Sequence, residues 1–252
     1  MPKPPTKAQA IAEALAAKIR SGEYGVGTWL PSERELATEY VADRSTVRRA
    51  LRLLREQGLV APPSSQGAKV VDPNAQPVQR HASDITSRVG QWRGFHVSIL
   101  ALGREPFTHT EIDEVQADAD LGRWLGVPVG SRLLRRSRVQ GVVGDAPVQT
   151  STTYLPWEYV ELVPRLLQVD TGPGGMYSRL EEIGHPVGEF EDSVSCRLPN
   201  AAEQEVLEIP ASEPVLTIWR RAYDVNGRIL DVTHRVVVGS RHEQIYRYGP
   251  GA

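Results

Sequence analysis

Cysteine is almost missing from this chain: Cys196 is the only one in 252 residues. No intrachain disulfide can form, which fits a reducing compartment, and no thiol spacing suited to a metal exists. Cys196 itself is expected to be a small buried apolar residue. Long apolar runs are missing too. None approaches the roughly 20 residues that span a bilayer, and the start MPKPPTKAQA has no apolar signal-peptide stretch. A cytoplasmic address and no membrane partner are the expectation. No Gly-rich phosphate loop, no G-x-S-x-G, no internal repeat and no low-complexity segment occur, so no cofactor and no catalytic residue is assigned. An overall excess of positive charge is also lacking, with 29 Lys and Arg against 31 Asp and Glu.

That balance hides a split. Residues 1–72 carry 11 Lys and Arg against 8 Asp and Glu, whereas residues 73–252 carry 18 against 23. A small basic module joined to a larger acidic one suggests that only the first meets a polyanion. The charge is concentrated in DRSTVRRALRLLR, residues 43–55, where five of thirteen residues are arginine. Val47, Ala50, Leu51 and Leu54 follow helical spacing and form an inward face. Arg44, Arg48, Arg52 and Arg55 form a second face, and Arg49 stands apart from both. Arg52 and Glu56 are spaced as an i, i+4 pair. Asp43 caps this helix and Gly58 ends it. Before it, Ile11, Leu15 and Ile19 mark a first helix, and Ser32 with Glu35 forms a capping box that opens a short second one. After it, LVA and AKVV pair as a hairpin around PPSSQG. Three short helices and a hairpin make a winged helix-turn-helix. A helix of this diameter fits the major groove of a duplex, and arginine bonds guanine O6 and N7 in pairs.

Residues 72–80, DPNAQPVQR, read as linker. Beyond them, strands are predicted on either side of a turn near Gly144-Asp145 and of a hairpin turn at Asn226-Gly227. Helices are predicted at 117–126, 157–168, 175–183 and 200–208. The second part is therefore an α+β domain on an antiparallel sheet. Two constellations there invite chemistry. His109, Glu111 and Asp113 share a strand face, the pattern of a polar outer face more than of a metal site, because adjacent same-face positions rarely converge on one ion. His96, Ser151 and Asp231 have the residue types of a triad but no supporting spacing.

The segment LPSERELATEYVADRSTVRRALRLLREQGLV strongly resembles the N-terminal DNA-binding domain of GntR-type bacterial transcription regulators, over roughly residues 8–71. The resemblance implies DNA contacts at Arg34, Arg44, Ser45, Thr46, Arg48 and the wing-tip Gly67. Asp43 and Arg49 complete the DNA-facing set. Asp43 stands where the family usually has Ser or Thr, and Pro62-Pro63 replace a basic or polar pair at the wing. A carboxylate at position 43 cannot donate to phosphate but can accept from cytosine N4.

Residues 91–248 resemble the UTRA effector-binding domain of the HutC-type branch of that family, through GFHVSILALG, LLRRSRVQGVVGDAPVQTSTTYLP, GGMYSRLEEIG and GRILDVTHRV. The implied fold is a chorismate-lyase-like antiparallel sheet flanked by helices. The implied effector residues are Phe95, His96, Arg136, Arg138, Ser151, Thr153, Tyr177 and Asp231. Strand alternation puts Arg136 and Arg138 on one face, where two cations can converge on an anion. Ser151 stands where a Glu is frequent, and Gly175 where a hydroxyl is. The organisation expected is therefore 1–72 DNA-binding, 73–90 linker and 91–248 effector-binding. The expected function is that of a repressor, acting as a homodimer on a palindromic DNA operator and modulated by a small anionic effector. A constitutive repressor without effector and an enzyme built on the lyase-like sheet are the alternatives.

Overall fold

The computed structural model describes residues 4–61, 67–71, 77–81, 88, 89 and 92–247. The Pro62-Pro63 wing turn and most of the expected linker lie outside them. The chain divides into two compact units. One is Met1–Gln76 with Gly144–Ala146 and Asn200–Ser212; the other is Pro77–Val143, Pro147–Pro199 and Glu213–Ala252.

The first unit opens with α1, Lys7–Arg20, which starts at Thr6 because the Thr6 side chain accepts from Gln9 N while Gln9 reaches back to the Thr6 backbone. α2, Glu33–Glu39, starts in the same reciprocal way at Ser32 and Glu35. α3, Arg44–Glu56, is capped by Asp43, and Gly58 closes it at φ +69°. The spacing-derived faces pack together. Ile11, Leu15 and Ile19 of α1 and Val47, Ala50, Leu51 and Leu54 of α3 share one buried cluster with Leu36. Behind α3, Val60 and Val70 form an antiparallel bridge, as the LVA and AKVV pairing requires. Trp29 adds a third segment by bridging Lys69. Between α2 and α3 the exposed Val41 sits at φ +47°, a left-handed conformation that a β-branched residue rarely takes.

The second unit is built on a six-stranded antiparallel sheet. Its strands are β4 (Pro106–Gln116), β5 (Arg132–Val142), β6 (Gln149–Pro156), β7 (Val187–Arg197), β8 (Val215–Asp224) and β9 (Ile229–Val238), in the spatial order β4-β5-β6-β9-β8-β7. The two predicted hairpins are β5–β6 and β8–β9, the latter turning at Asn226-Gly227 with Gly227 at φ +80°. Short strands β1 (Val78–His81) and β10 (His242–Ile245) pair in parallel, and β2 (Arg88–Val89) pairs with β3 (Trp92–Arg93). Its helices are α4 (Phe95–Ala101), α5 (Ala119–Leu125), α6 (Trp157–Leu162) and α7 (Gly175–Glu182), whereas α8 (Ala201–Leu207) belongs to the Asn200–Ser212 segment of the first unit. α6 stops short of the predicted 157–168 helix, which continues as a 3-10 turn from Pro164 to Leu167. The cause is Pro164, which lacks the N–H that the next helical bond needs.

One face of the sheet carries α5, whose Leu121 and Leu125 pack with Leu133 and Val232, while Trp124 stacks on Trp219 at 5.3 Å. The other face has two apolar ends. At one, Leu134 and Leu155 meet Tyr159 and Val160 of α6 and Leu180 of α7. At the other, Val142 and Val148 meet Phe95 and Ile99 of α4 and Val78 of β1. Between these ends the inward positions of β5 read Arg136, Arg138, Gln140. A cavity lies over them.

Candidate functional site

The first candidate surface is the opening of α3. Asp43 caps the helix through Oδ1, which accepts from Thr46 N at 2.7 Å and from Ser45 Oγ at 2.6 Å; Oδ2 accepts from Thr46 Oγ1 at 2.9 Å. The Ser45 hydroxyl and then Thr46 hold the Asp43 carboxyl at about 2. Both first-turn hydroxyl protons are thus committed to Asp43. Arg48 is committed as well, with Nε 2.8 Å from Glu33 Oε2 on α2. Arg34, Arg44 and Arg49 are exposed and make no side-chain hydrogen bond or ion pair among the described residues. Arg52, which spacing pairs with Glu56 and places on the arginine face, is likewise exposed and unpaired there, a cation that the expected DNA-facing set does not include. Gly67 is exposed at φ +117° beside the Trp29 ring.

The second candidate site is a cavity of about 490 Å³ within the sheet unit. Register explains its floor. Arg136, Thr153, Thr233 and Arg220 are neighbours across β5, β6, β9 and β8, and Arg138, Ser151 and Arg235 form the next row across β5, β6 and β9. Gln140 and Gln149 make a third row, joined by a 2.8 Å bond. Phe95 and His96 of α4, the loop Val169–Pro173 and Met176 and Tyr177 of α7 supply the walls.

The floor is cationic. Arg80, Arg136, Arg138, Arg220 and Arg235 all line it. Arg220 is neutralised by a two-pronged bond to the half-buried Asp192. Arg136 spends its donors on backbone: Nη1 bonds Leu166 O and Gln168 O, and Nη2 bonds Val169 O at 3.0 Å. Arg136 therefore fastens the 166–169 loop that forms one wall. Burial, with Arg138 beside it, lowers its pKa to about 10.

Arg138 Nη2 donates to Thr153 Oγ1, Thr153 is 2.9 Å from Thr233 Oγ1, and Thr233 Oγ1 donates to Asp231 Oδ1 at 2.9 Å. Each hydroxyl has one proton. Thr233 gives its proton to Asp231, so Thr153 must donate to Thr233 and is left as the acceptor that Arg138 needs. Asp231 is fully buried. Burial raises its pKa from 3.8 to about 6, against the pull of Thr233, Tyr177, Arg220 and Arg138. His96 is held below its ordinary pKa by burial and by Arg138, so it meets the cavity as a neutral ring.

Of the eight residues expected around an effector, Phe95, His96, Arg136, Arg138, Ser151, Thr153 and Tyr177 line this one cavity. Asp231 lies outside the lining and is joined to it through Thr233, with Tyr177 beside it. Ser151 has no hydrogen bond to His96 or Asp231 among the described residues, so the three do not form a triad chain. His109, Glu111 and Asp113 sit exposed on edge strand β4, with His109 Nε2 3.7 Å from Glu111 and Asp113 bonded to Arg135. Cys196 is exposed, not buried. It lies on edge strand β7, which has a strand neighbour on one side only among the described residues. Sequence reasoning missed Arg80, Arg220, Thr233 and Arg235. The available signal was their position: Thr233 and Arg235 are two apart on β9, and Arg220 alternates with Ile218 and Ala222 on β8, where a core-facing set is ordinarily apolar.

The description "Bacterial regulatory proteins, gntR family" belongs to a family model matching residues 7–70, and a UTRA domain model matches residues 102–243. The histidine utilization repressor of Klebsiella aerogenes is 29% identical over 243 residues, covering 95% of this chain and 93% of that protein. The transcriptional repressor NagR of Bacillus subtilis is 26% identical over 238 residues, covering 94% and 92%. Among solved structures, PhnF from Mycobacterium smegmatis has the same fold, with a TM-score of 0.59 at 23% identity over 95% of this chain and 99% of that one.

Proposed function

The chain belongs to the gntR family of bacterial regulatory proteins and carries a UTRA effector-binding domain, and from that premise we propose that it is a cytoplasmic, sequence-specific DNA-binding repressor whose hold on its operator is modulated by a small anionic effector. DNA binding is assigned to residues 1–72, with a linker at 73–90 and effector binding at 91–248. The relatives from Klebsiella aerogenes and Bacillus subtilis are named as repressors, which supports repression over activation. The same reading takes it to act as a homodimer on a palindromic operator, the arrangement in which a two-fold protein matches two half-sites.

The observation that carries the effector reading is the charge of the cavity. Five guanidinium groups line it, while the carboxylates at or beneath the lining are Asp170, Asp192 and Asp231. An excess of buried positive charge favours an anion. Arg44, Arg49 and Arg52 supply the DNA side. Neutralised phosphates release counterions, so affinity should fall steeply with salt.

The test is selection of a duplex from a random pool by the full chain, followed by fluorescence anisotropy with and without a panel of small anions. We expect a palindromic site bound by a dimer, loss of affinity in Arg44→Ala, and a shift of roughly 5–150-fold in operator affinity with the right anion. Operator affinity indifferent to every anion would leave a constitutive repressor. Turnover of a bound anion would point instead to an enzyme.

A further inference from the structure

Arg235 takes little part in the interactions that hold the cavity together. It stands on β9 at 2% exposure, and its Nε and Nη1 have no hydrogen-bond partner among the described residues. Its one bond among the described residues runs from Nη2 to Gln244 Oε1 on β10, at 3.2 Å. Asp192, the carboxylate whose field it feels, is already bound by both prongs of Arg220 and by the Tyr246 hydroxyl. His242, on the same short strand as Gln244, contributes no charge, because burial and the neighbouring Arg80 and Arg235 push its pKa down to about 3. A buried guanidinium with open donors is costly unless an anion meets it. Arg235 lines the cavity, so that anion can come from a ligand.

Register locates this seat relative to the other one. Arg138, Ser151 and Arg235 are successive neighbours across β5, β6 and β9. Strands lie ~4.8 Å apart, which puts the two arginine Cα atoms about 10 Å apart. The two side chains are anchored on different elements: Arg138 on Thr153 of β6, Arg235 on Gln244 of β10. Each also carries unmet donors, Nε on Arg138 and Nε with Nη1 on Arg235, which are buried rather than open to the cavity, so the charge of each guanidinium is uncompensated where it lines the cavity. Ser151 stands between them with a single hydroxyl. Two forks fixed by separate elements favour a molecule with a charge at each end over one small anion.

We propose that the effector carries two separated anionic groups, carboxylate or phosphate, one seated at Arg138 and the other at Arg235, with Ser151 bonding the stretch between them. This rests on the reading of the cavity as an anionic-effector site.

Calorimetric titration of the full chain with unbranched α,ω-dicarboxylates of increasing length, and with monocarboxylates of the same lengths, tests it. Wild type should prefer a dicarboxylate of one best length by at least about tenfold. Arg138→Gln and Arg235→Gln should each bring that preference close to unity while monocarboxylate still binds at the remaining seat. A wild type that binds monocarboxylates with no gain from a second charge overturns the two-seat inference and leaves the anionic effector standing. Loss of monocarboxylate binding in either single variant also overturns it, because that is how one shared seat behaves. A wild type that binds neither series overturns both readings. Arg235→Met supplies a measurement independent of ligand: without an unmet charge, it should melt higher than wild type in the absence of anions. A lower melting temperature would show that the Arg235 charge is already compensated, which removes the second seat.

Discussion

Asp231→Asn isolates the buried carboxyl that orders the cavity floor. In the fold its pKa is raised from the ordinary 3.8 to about 6, first of all by burial. Between those values the folded chain keeps a proton that the unfolded chain has released. Its contribution to stability is therefore fully present below about pH 4 and is lost as pH rises through about 6. The shift is about two pKa units, and each unit is 1.36 kcal/mol, so the loss amounts to about 3 kcal/mol by neutral pH. Asparagine keeps an acceptor for Thr233 and cannot ionise. The variant should gain about 3 kcal/mol relative to wild type between about pH 4 and pH 7. The comparison must be a difference. His242, depressed from 6.5 to about 3, gives the opposite slope in the same window: its neutral form stabilises above 6.5 and that stability is lost as pH falls. Wild type alone can thus look flat. Urea unfolding followed by the near-ultraviolet signal of the stacked Trp124–Trp219 pair reports on this unit. A difference between variant and wild type that stays constant with pH, or shrinks as pH rises, would refute the raised pKa of the buried Asp231.

Val41→Gly should stabilise the DNA-binding unit by about 1 kcal/mol, because the exposed Val41 gives up no packing and its left-handed φ becomes unstrained; thermal unfolding checks this. Arg136→Gln leaves the carbonyls of Leu166, Gln168 and Val169 without their donor and should cost roughly 3 kcal/mol, read by the same urea titration. Glu33→Gln releases Arg48 and should steepen the salt dependence of operator binding by about one phosphate contact, read by anisotropy across a salt series. Asp43→Ser keeps a cap but frees the Ser45 and Thr46 hydroxyls, and should reorder a panel of operator variants; an unchanged ranking means Asp43 does not read sequence.

Much of the DNA-binding unit was legible because its determinants are local. Ser32 with Glu35 and Asp43 with Thr46 act over three residues, and the α1 and α3 stripes repeat every three or four. What stayed hidden there involves distance: Trp29 joining the wing through Lys69, and Glu33 occupying Arg48. In the sheet unit the two hairpins were legible from their turns. That β9 pairs with β6, so that Thr233 meets Thr153 and Arg235 meets Ser151, was not.

The sequence by itself determined the helix caps, the arginine face of α3, the two hairpins and the alternation that turns Arg136 and Arg138 to one side. Only the tertiary structure decided which residues share the cavity. It ties Arg136 to a loop carbonyl cluster, hides Asp231 beneath Thr233, leaves Cys196 on an open edge and brings Arg235 opposite Arg138. The physical reason is range: a cap or a turn is a contact of a few residues, whereas strand order and burial arise from pairings some eighty residues apart, set when the whole sheet closes.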